Sequence, residues 1–458
     1  MTIPTYAGLG TALSGLEAMQ AGIDTTSENI SNASNPDYAD ESVNLVTNPS
    51  LRFFTGQGNN PAVELGTGVA VQSITRNDDA FIDGQYWTAN ANSSYYTTLS
   101  NQLTDTEDNL NTSSTSGLQK ALGDFYSSWS SLASTPTNGS SVIGAATSLA
   151  TQLNQASQQI STLQTQAGDQ VATLTASGGE LNQYATDIAQ LNVQIAATSA
   201  SGMSSNSLQD QRAAVIDKLS ALANIKVTQQ TNGSDTITLM NNSTTPATQV
   251  GSSPLVDGGN GTTVPSPSAA VTLPASTDLT SIGGTIGALA QLADTNPADP
   301  NASLAQMSSQ LDTVASNIAG LVNTASGMTF FSPNDGTSTV TAANMSVDAS
   351  VTASSLATLS SSTDTNVYAT NTQATNDLAS FVSQVGNTVG QADDSAATTS
   401  SLLTNISNER QSVSGVSLDQ EMTNLITYQQ GYQASARVMN TMQSVIQTLI
   451  SSVGGAGL

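Results

Sequence analysis

Apolar side chains recur at every seventh position near both ends of this chain. At the N-terminus Leu9, Leu16, Ile23 and Ile30 are spaced by sevens, and Ala12, Met19 and Thr26 follow the first three. At the C-terminus Leu418, Leu425, Tyr432, Met439 and Ile446 repeat that spacing. Tyr428, Met442 and Leu449 take most of the second seam positions, and Met422, Ala436 and Ile450 widen the stripe. A sustained seven-residue repeat places a narrow apolar seam along a helix and turns it toward a partner helix. One such helix reads as an ordinary surface helix. Two, at opposite ends of a long chain, read as helices that pair with each other and with neighbouring chains.

Composition supports helices with narrow stripes. Hydrophobic residues make up 37% and aromatic residues 4% of the 458, too few for one large aromatic core. The formal charge is −26, from 34 acidic and 8 basic residues. No basic patch is available to neutralise phosphates, so nucleic acid is excluded as a partner. An anionic membrane surface is disfavoured for the same reason. Cysteine and histidine are absent, which removes disulfides, thiolate nucleophiles, the common zinc sites and the Ser/His/Asp triad. The reading is a non-enzymatic chain with no catalytic residues, metal or cofactor. No basic leader and no apolar run of membrane-spanning length is present, so no membrane insertion is expected. Export without a cleaved signal would leave the same pattern.

Inside the terminal helices the pattern is nested. Residues 40–80 alternate with period two ("ESVNLVT", "GVAVQSITR") and read as extended. Helical spacing covers about 90–134, and a long Gln- and Ala-rich run covers 141–200. In that run Leu174, Leu181, Ile188 and Ile195 are heptad-spaced and predict one long helix. "LQDQRAAVIDKLSALA" predicts a shorter helix with Asp210 and Arg212 at its start, Arg212 being placed to bridge between helices. Residues 303–325 and 366–410 are also helical by pattern. "IKVTQQTNGSDTITLMNN" is a hairpin signal around Asn-Gly, and "MTFFSPNDGTSTVTAANMSVDAS" is a second strand-rich stretch. These two stretches predict one small outer β-module. "DGGNGTT", "NPADPNAS" and "PNDGTST" lack P-loop or EF-hand spacing and read as turns.

The expected fold is mainly α with an inserted β-module: terminal coiled-coil helices, a long helical bundle and a small outer β domain, elongated and rod-like. The expected division is 1–38 with 415–458 as the terminal coiled coil. Residues 39–228, 281–327 and 366–414 form the helical rod, and 229–280 with 328–365 the β-rich module.

The stretch "SGLEAMQAGIDTTSENISNASNPDY" resembles the N-terminal signature of the bacterial flagellar axial proteins. Ser14, Gly15, Leu16, Thr25, Thr26, Ser27, Asn29, Ile30, Ser31 and Asn32 match the family's helix, and Pro36 and Tyr38 match its turn. Asp37 stands where the family usually has Gly, and Asp40 near where Arg is common. "RNDDAFI", "LQDQRAAVIDKLSAL" and the long C-terminal stretch from "SVSGVSLDQE" narrow the resemblance to the family of hook-associated protein 1 (FlgK). The resemblance carries Asp210 and Arg212 as family-motif residues beside Thr25, Ser27, Asn29, Asn32, Pro36 and Tyr38. It implies a structural component of the extracellular flagellum, at the hook–filament junction. The implied partners are further copies in a ring, the hook protein and the third hook-associated protein. It also implies type III export without a cleaved signal, and a cytoplasmic export chaperone on the C-terminal helix. The alternatives are another axial protein, such as the third hook-associated protein or a flagellin, and a secreted adhesin or polymer-modifying protein acting through the insert.

Overall fold

The computed structural model describes residues 5–53, 63–110, 117–241, 248–250, 254–259, 279–359 and 361–454. The chain is mainly helical with small sheets, and its longest helices give it an elongated form.

Helix α1 (Thr5–Asn32) ends in a turn in which the Asn35 side chain accepts the backbone N–H of Asp37. Such local bonding makes Asn a turn former. Four strands follow: β1 (Glu41–Thr47), β2 (Leu51–Phe53), β3 (Val63–Leu65) and β4 (Val69–Arg76). β1 pairs antiparallel with β4, with an irregularity at Asn44/Leu45, and β2 pairs antiparallel with β3 between them in the chain. It lies along α1.

Next come α2 (Ala80–Leu110), α3 (Leu118–Ser134), α4 (Gly139–Thr175) and α5 (Glu180–Ala200). The heptad from Leu174 to Ile195 predicts continuity here, and the chain instead breaks at 176–179. Asn182 donates from Nδ2 to the carbonyls of Thr175 and Ala176 (3.2 and 2.8 Å), satisfying helix-end acceptors. α5 then packs on α6 (Asn206–Leu222).

Strands β5 (Ile225–Gln229) and β6 (Asp235–Asn241) form the hairpin read from Asn-Gly, with β7 (Thr248–Gln249) on its edge. Gly233 holds φ +82° at the turn, where a side chain would be strained. Helices α7 (Gly284–Ala293) and α8 (Ser303–Ser326) lead to β8 (Phe331–Pro333) and β9 (Met345–Val347), which pair with each other. The two strand-rich stretches, expected to make one β-module, form separate sheets. The second is anchored in the helical body: Phe330 and Phe331 are buried against Phe125 and Trp129 of α3, with Trp129 and Phe330 centroids 5.4 Å apart. Phe125, Tyr126, Trp129, Phe330 and Phe331 are among the largest fully buried side chains of the helical body. A short α9 (Ala353–Ala357) begins with a Thr352/Ser355 capping box. Then α10 (Ser361–Ala369), α11 (Asn371–Ser414) and α12 (Leu418–Gly454) complete the chain. α11 packs along α2, and α12 returns to α1.

Candidate assembly interface

Helices α1 and α12 run antiparallel, and their contact follows a glycine seam. A β-carbon built on Gly8 would lie 2.9 Å from Met442 Cε. One on Gly15 would lie 3.1 Å from Ser435 Oγ, and one on Gly22 2.7 Å from the Tyr428 ring. The next step of the same repeat is Asn29, whose side chain reaches Glu421 at 3.1 Å. Gly8, Gly15, Gly22 and Asn29 thus meet Met442, Ser435, Tyr428 and Glu421 in order, seven residues at a time on both helices. Reciprocally, a β-carbon on Gly431 would sit 2.6 Å from Met19 Sδ. Small residues let the backbones approach closely while larger residues of the partner fill the space above them.

The larger residues of the sequence pattern flank this seam. Leu9, Leu16, Met19, Ile23 and Ile30 are half-buried, as are Leu425, Tyr428, Tyr432, Met439 and Ile446. Leu418, expected at a seam position, and Met422, expected to widen the stripe, are 53% and 50% exposed. The Leu449 side chain lies outside the described residues. Leu13, Ile426, Val438, Val445 and Ile450 are also exposed. The pair therefore closes one seam and leaves apolar flanks in water. Large apolar side chains left exposed along a helix pair offer a face for association.

A polar joint locks the pair to the body. Asn29 is fully buried, and its Nδ2 donates to Asp40 Oδ1 (2.8 Å), the Glu41 carbonyl (2.9 Å) and Glu421 Oε2 (3.1 Å). Its Oδ1 accepts from Tyr38 Oη (2.7 Å) and from the Glu41 N–H (3.1 Å). One amide thus ties α1 to the turn, to β1 and to α12. Asp40 extends the joint: its N–H donates to the Ser414 carbonyl at the end of α11, and its Oδ2 accepts from Asn77 beyond β4. Burial, with the neighbouring acids, pushes the Tyr38 phenol well above its usual range, so it stays a donor. Thr25 is buried on α1. Ser27 and Asn32 bond only to carbonyls one turn back, and Pro36 is exposed. The sequence pattern did not single out Asp40 or Glu421 as joint residues, and Asn29 entered it only as a polar residue of the family motif.

Asp210 and Arg212 do not bond this amide; Asp210 stands beside the Tyr38–Glu41 turn, and both residues fasten the body. Arg212 is buried; its Nε meets Asp235 at 2.9 Å, and its Nη1 donates to Asn192 Oδ1 and the Gly233 carbonyl. It fastens the β5–β6 turn to α5 and α6. Asp210 receives Arg76 Nε at 2.6 Å, joining α6 to the end of β4. Burial pushes its carboxyl up, against the pull of Arg76. Arg410 on α11 contacts Asp83 and Asp217 at 2.8 and 2.6 Å and lies 4.6 Å from the Tyr86 ring centroid. Three of the few cations are spent on joining layers.

Comparison with known proteins identifies the family. The family model described as the flagellar hook-associated protein FlgK helical domain matches residues 103–337, more than half of the chain. The model of the flagellar basal body rod FlgEFG protein C-terminal matches 408–452, which takes in most of α12. Flagellar hook-associated protein 1 of Bacillus subtilis is 30% identical over 236 residues, covering 51% of this chain and 46% of the relative. The Escherichia coli protein of the same name is 31% identical over 238 residues, covering 51% and 42%. The chain spans about half the length of the curated relatives it matches. The solved flagellar hook junction protein FlgK from Burkholderia pseudomallei is 24% identical, with a TM-score of 0.41 over 56% of this chain and 46% of that one. The chain belongs to the FlgK family of flagellar hook-associated proteins.

Proposed function

We propose that this chain is a non-enzymatic structural subunit of the hook–filament junction, assembled through its terminal helix pair. The carrying observation is the α1–α12 pair, closed along one glycine seam and open along apolar flanks. Neighbouring copies in a ring cover those flanks, above the hook protein and below the third hook-associated protein. The subunit leaves the cell through the flagellar export route without a cleaved signal. Before export, a cytoplasmic chaperone shields the apolar face of α12, since a free helix of this kind is marginal in water. The residues that carry assembly are the flanks named above with Leu9, Leu16, Ile23 and Ile30.

A deletion strain tests the reading. Hooks form, and flagellin is released into the medium instead of polymerising. Filaments of normal length on the deletion strain would refute it.

A further inference from the structure

We propose that the joint of α1, the turn at Tyr38–Glu41 and α12 is a proton-sensitive latch, which seats α12 more tightly as the pH falls. This does not depend on the assembly reading.

The geometry carries it. Asn29 Nδ2 has two hydrogens and faces three acceptors: Asp40 Oδ1, the Glu41 carbonyl and Glu421 Oε2. Two of these belong to carboxylates from opposite ends of the chain. Because both oxygens contact the same nitrogen, they lie no more than about 6 Å apart, a range at which ionising both is unfavourable.

The other groups facing this point do not cancel the charge. Glu28 of α1, Glu41 and Asp210 of α6 add carboxylates around Tyr38. Asn77 donates to Asp40, Asn424 donates to Glu421, and Asn206 of α6 lies beside Glu41. The arginine on this side, Arg76, is engaged by Asp78 and Asp210. Burial pushes the Asp40 carboxyl above its ordinary value; the Asn77 bond pulls it back and the Glu421 charge pushes it up again.

The sign follows. A carboxyl raised in the folded state binds its proton more tightly there than in the unfolded chain. Its contribution is fully present below its ordinary value of 3.8 and is lost as pH rises through the higher folded value. Asp40 also bonds the last residue of α11, so the charge sits where the chain turns from α11 into α12.

Hydrogen exchange on the full chain at about pH 7 and about pH 4.5 tests this, read as protection factors so that intrinsic exchange rates cancel. Peptides covering 418–432 are expected to show a higher protection factor at the lower pH, because part of the Asp40 contribution is present there and none of it at pH 7. In Asp40→Asn the gain is absent. A wild-type gain of zero, or an equal gain in Asp40→Asn, overturns the proposal. Peptides from α4 report whether the variant is folded. If they lose protection, Glu421→Gln replaces it: a smaller gain than wild type supports the latch, and an equal gain overturns it.

Discussion

Arg212 has its guanidinium bound to a buried carboxylate, a buried amide oxygen and a partly buried turn carbonyl. Removing one partner of a buried pair leaves the other charged and dry, which costs far more than the pair itself contributes. Arg212→Met is expected to destabilise the chain by about 3–5 kcal/mol, measured as a lower urea midpoint. A loss below about 1 kcal/mol would mean that water reaches Asp235. The sequence placed Asp210 and Arg212 at the head of a helix and suggested bridging. It did not reveal the partners, because Asn192 and Asp235 come from other elements and neither has a periodic signature. Asp40 shows the same limit. As a departure from a familiar pattern it looked anomalous, and in the fold it connects α1, α11 and the exit of β4.

At the scale of elements, the α1–α12 contact turns on residues that hydrophobic periodicity does not register. Apolar repeats located both helices and the flanking Leu and Ile. The seam itself lies one residue earlier on α1, at Gly8, Gly15 and Gly22, where the absence of a side chain is the functional property. Substitution separates the two roles of glycine. Gly10 is exposed with open space around it, so Gly10→Ala is expected to stabilise α1 by about 0.5–1 kcal/mol. Gly22→Ala gains the same propensity but drives a methyl into the Tyr428 ring, and overpacking of this kind costs about 1–3 kcal/mol. Opposite shifts in thermal midpoint are the expected result; parallel shifts would show that the seam is loose. The predicted continuous helix through Leu174 and Ile195 failed for a related reason. Gly178 and Gly179 interrupt the run, and Asn182 caps the break, a local bonding choice that apolar spacing does not encode. The hairpin around Asn232-Gly233 was legible because its turn chemistry is local. The pairing partners of β8 were not, since Phe330 and Phe331 are drawn into an aromatic core assembled from distant helices.

At the scale of the molecule, the nested order of the sequence becomes a body with both ends brought together. The helical core lies between, and the terminal pair extends from a joint built on Asn29. Leu16 and Leu425 are half-buried in the pair, so a charge at either one would disturb the isolated subunit as well as its contacts with neighbours. Met422 and Ile426 are 50% and 51% exposed on α12 and make a cleaner probe. The deciding measurement is motility of a strain carrying Met422→Glu with Ile426→Glu, alongside the thermal midpoint of the purified variant. The account predicts an unchanged midpoint and lost swimming, because only the face offered to neighbouring subunits has been charged. Normal swimming with both glutamates present would contradict it.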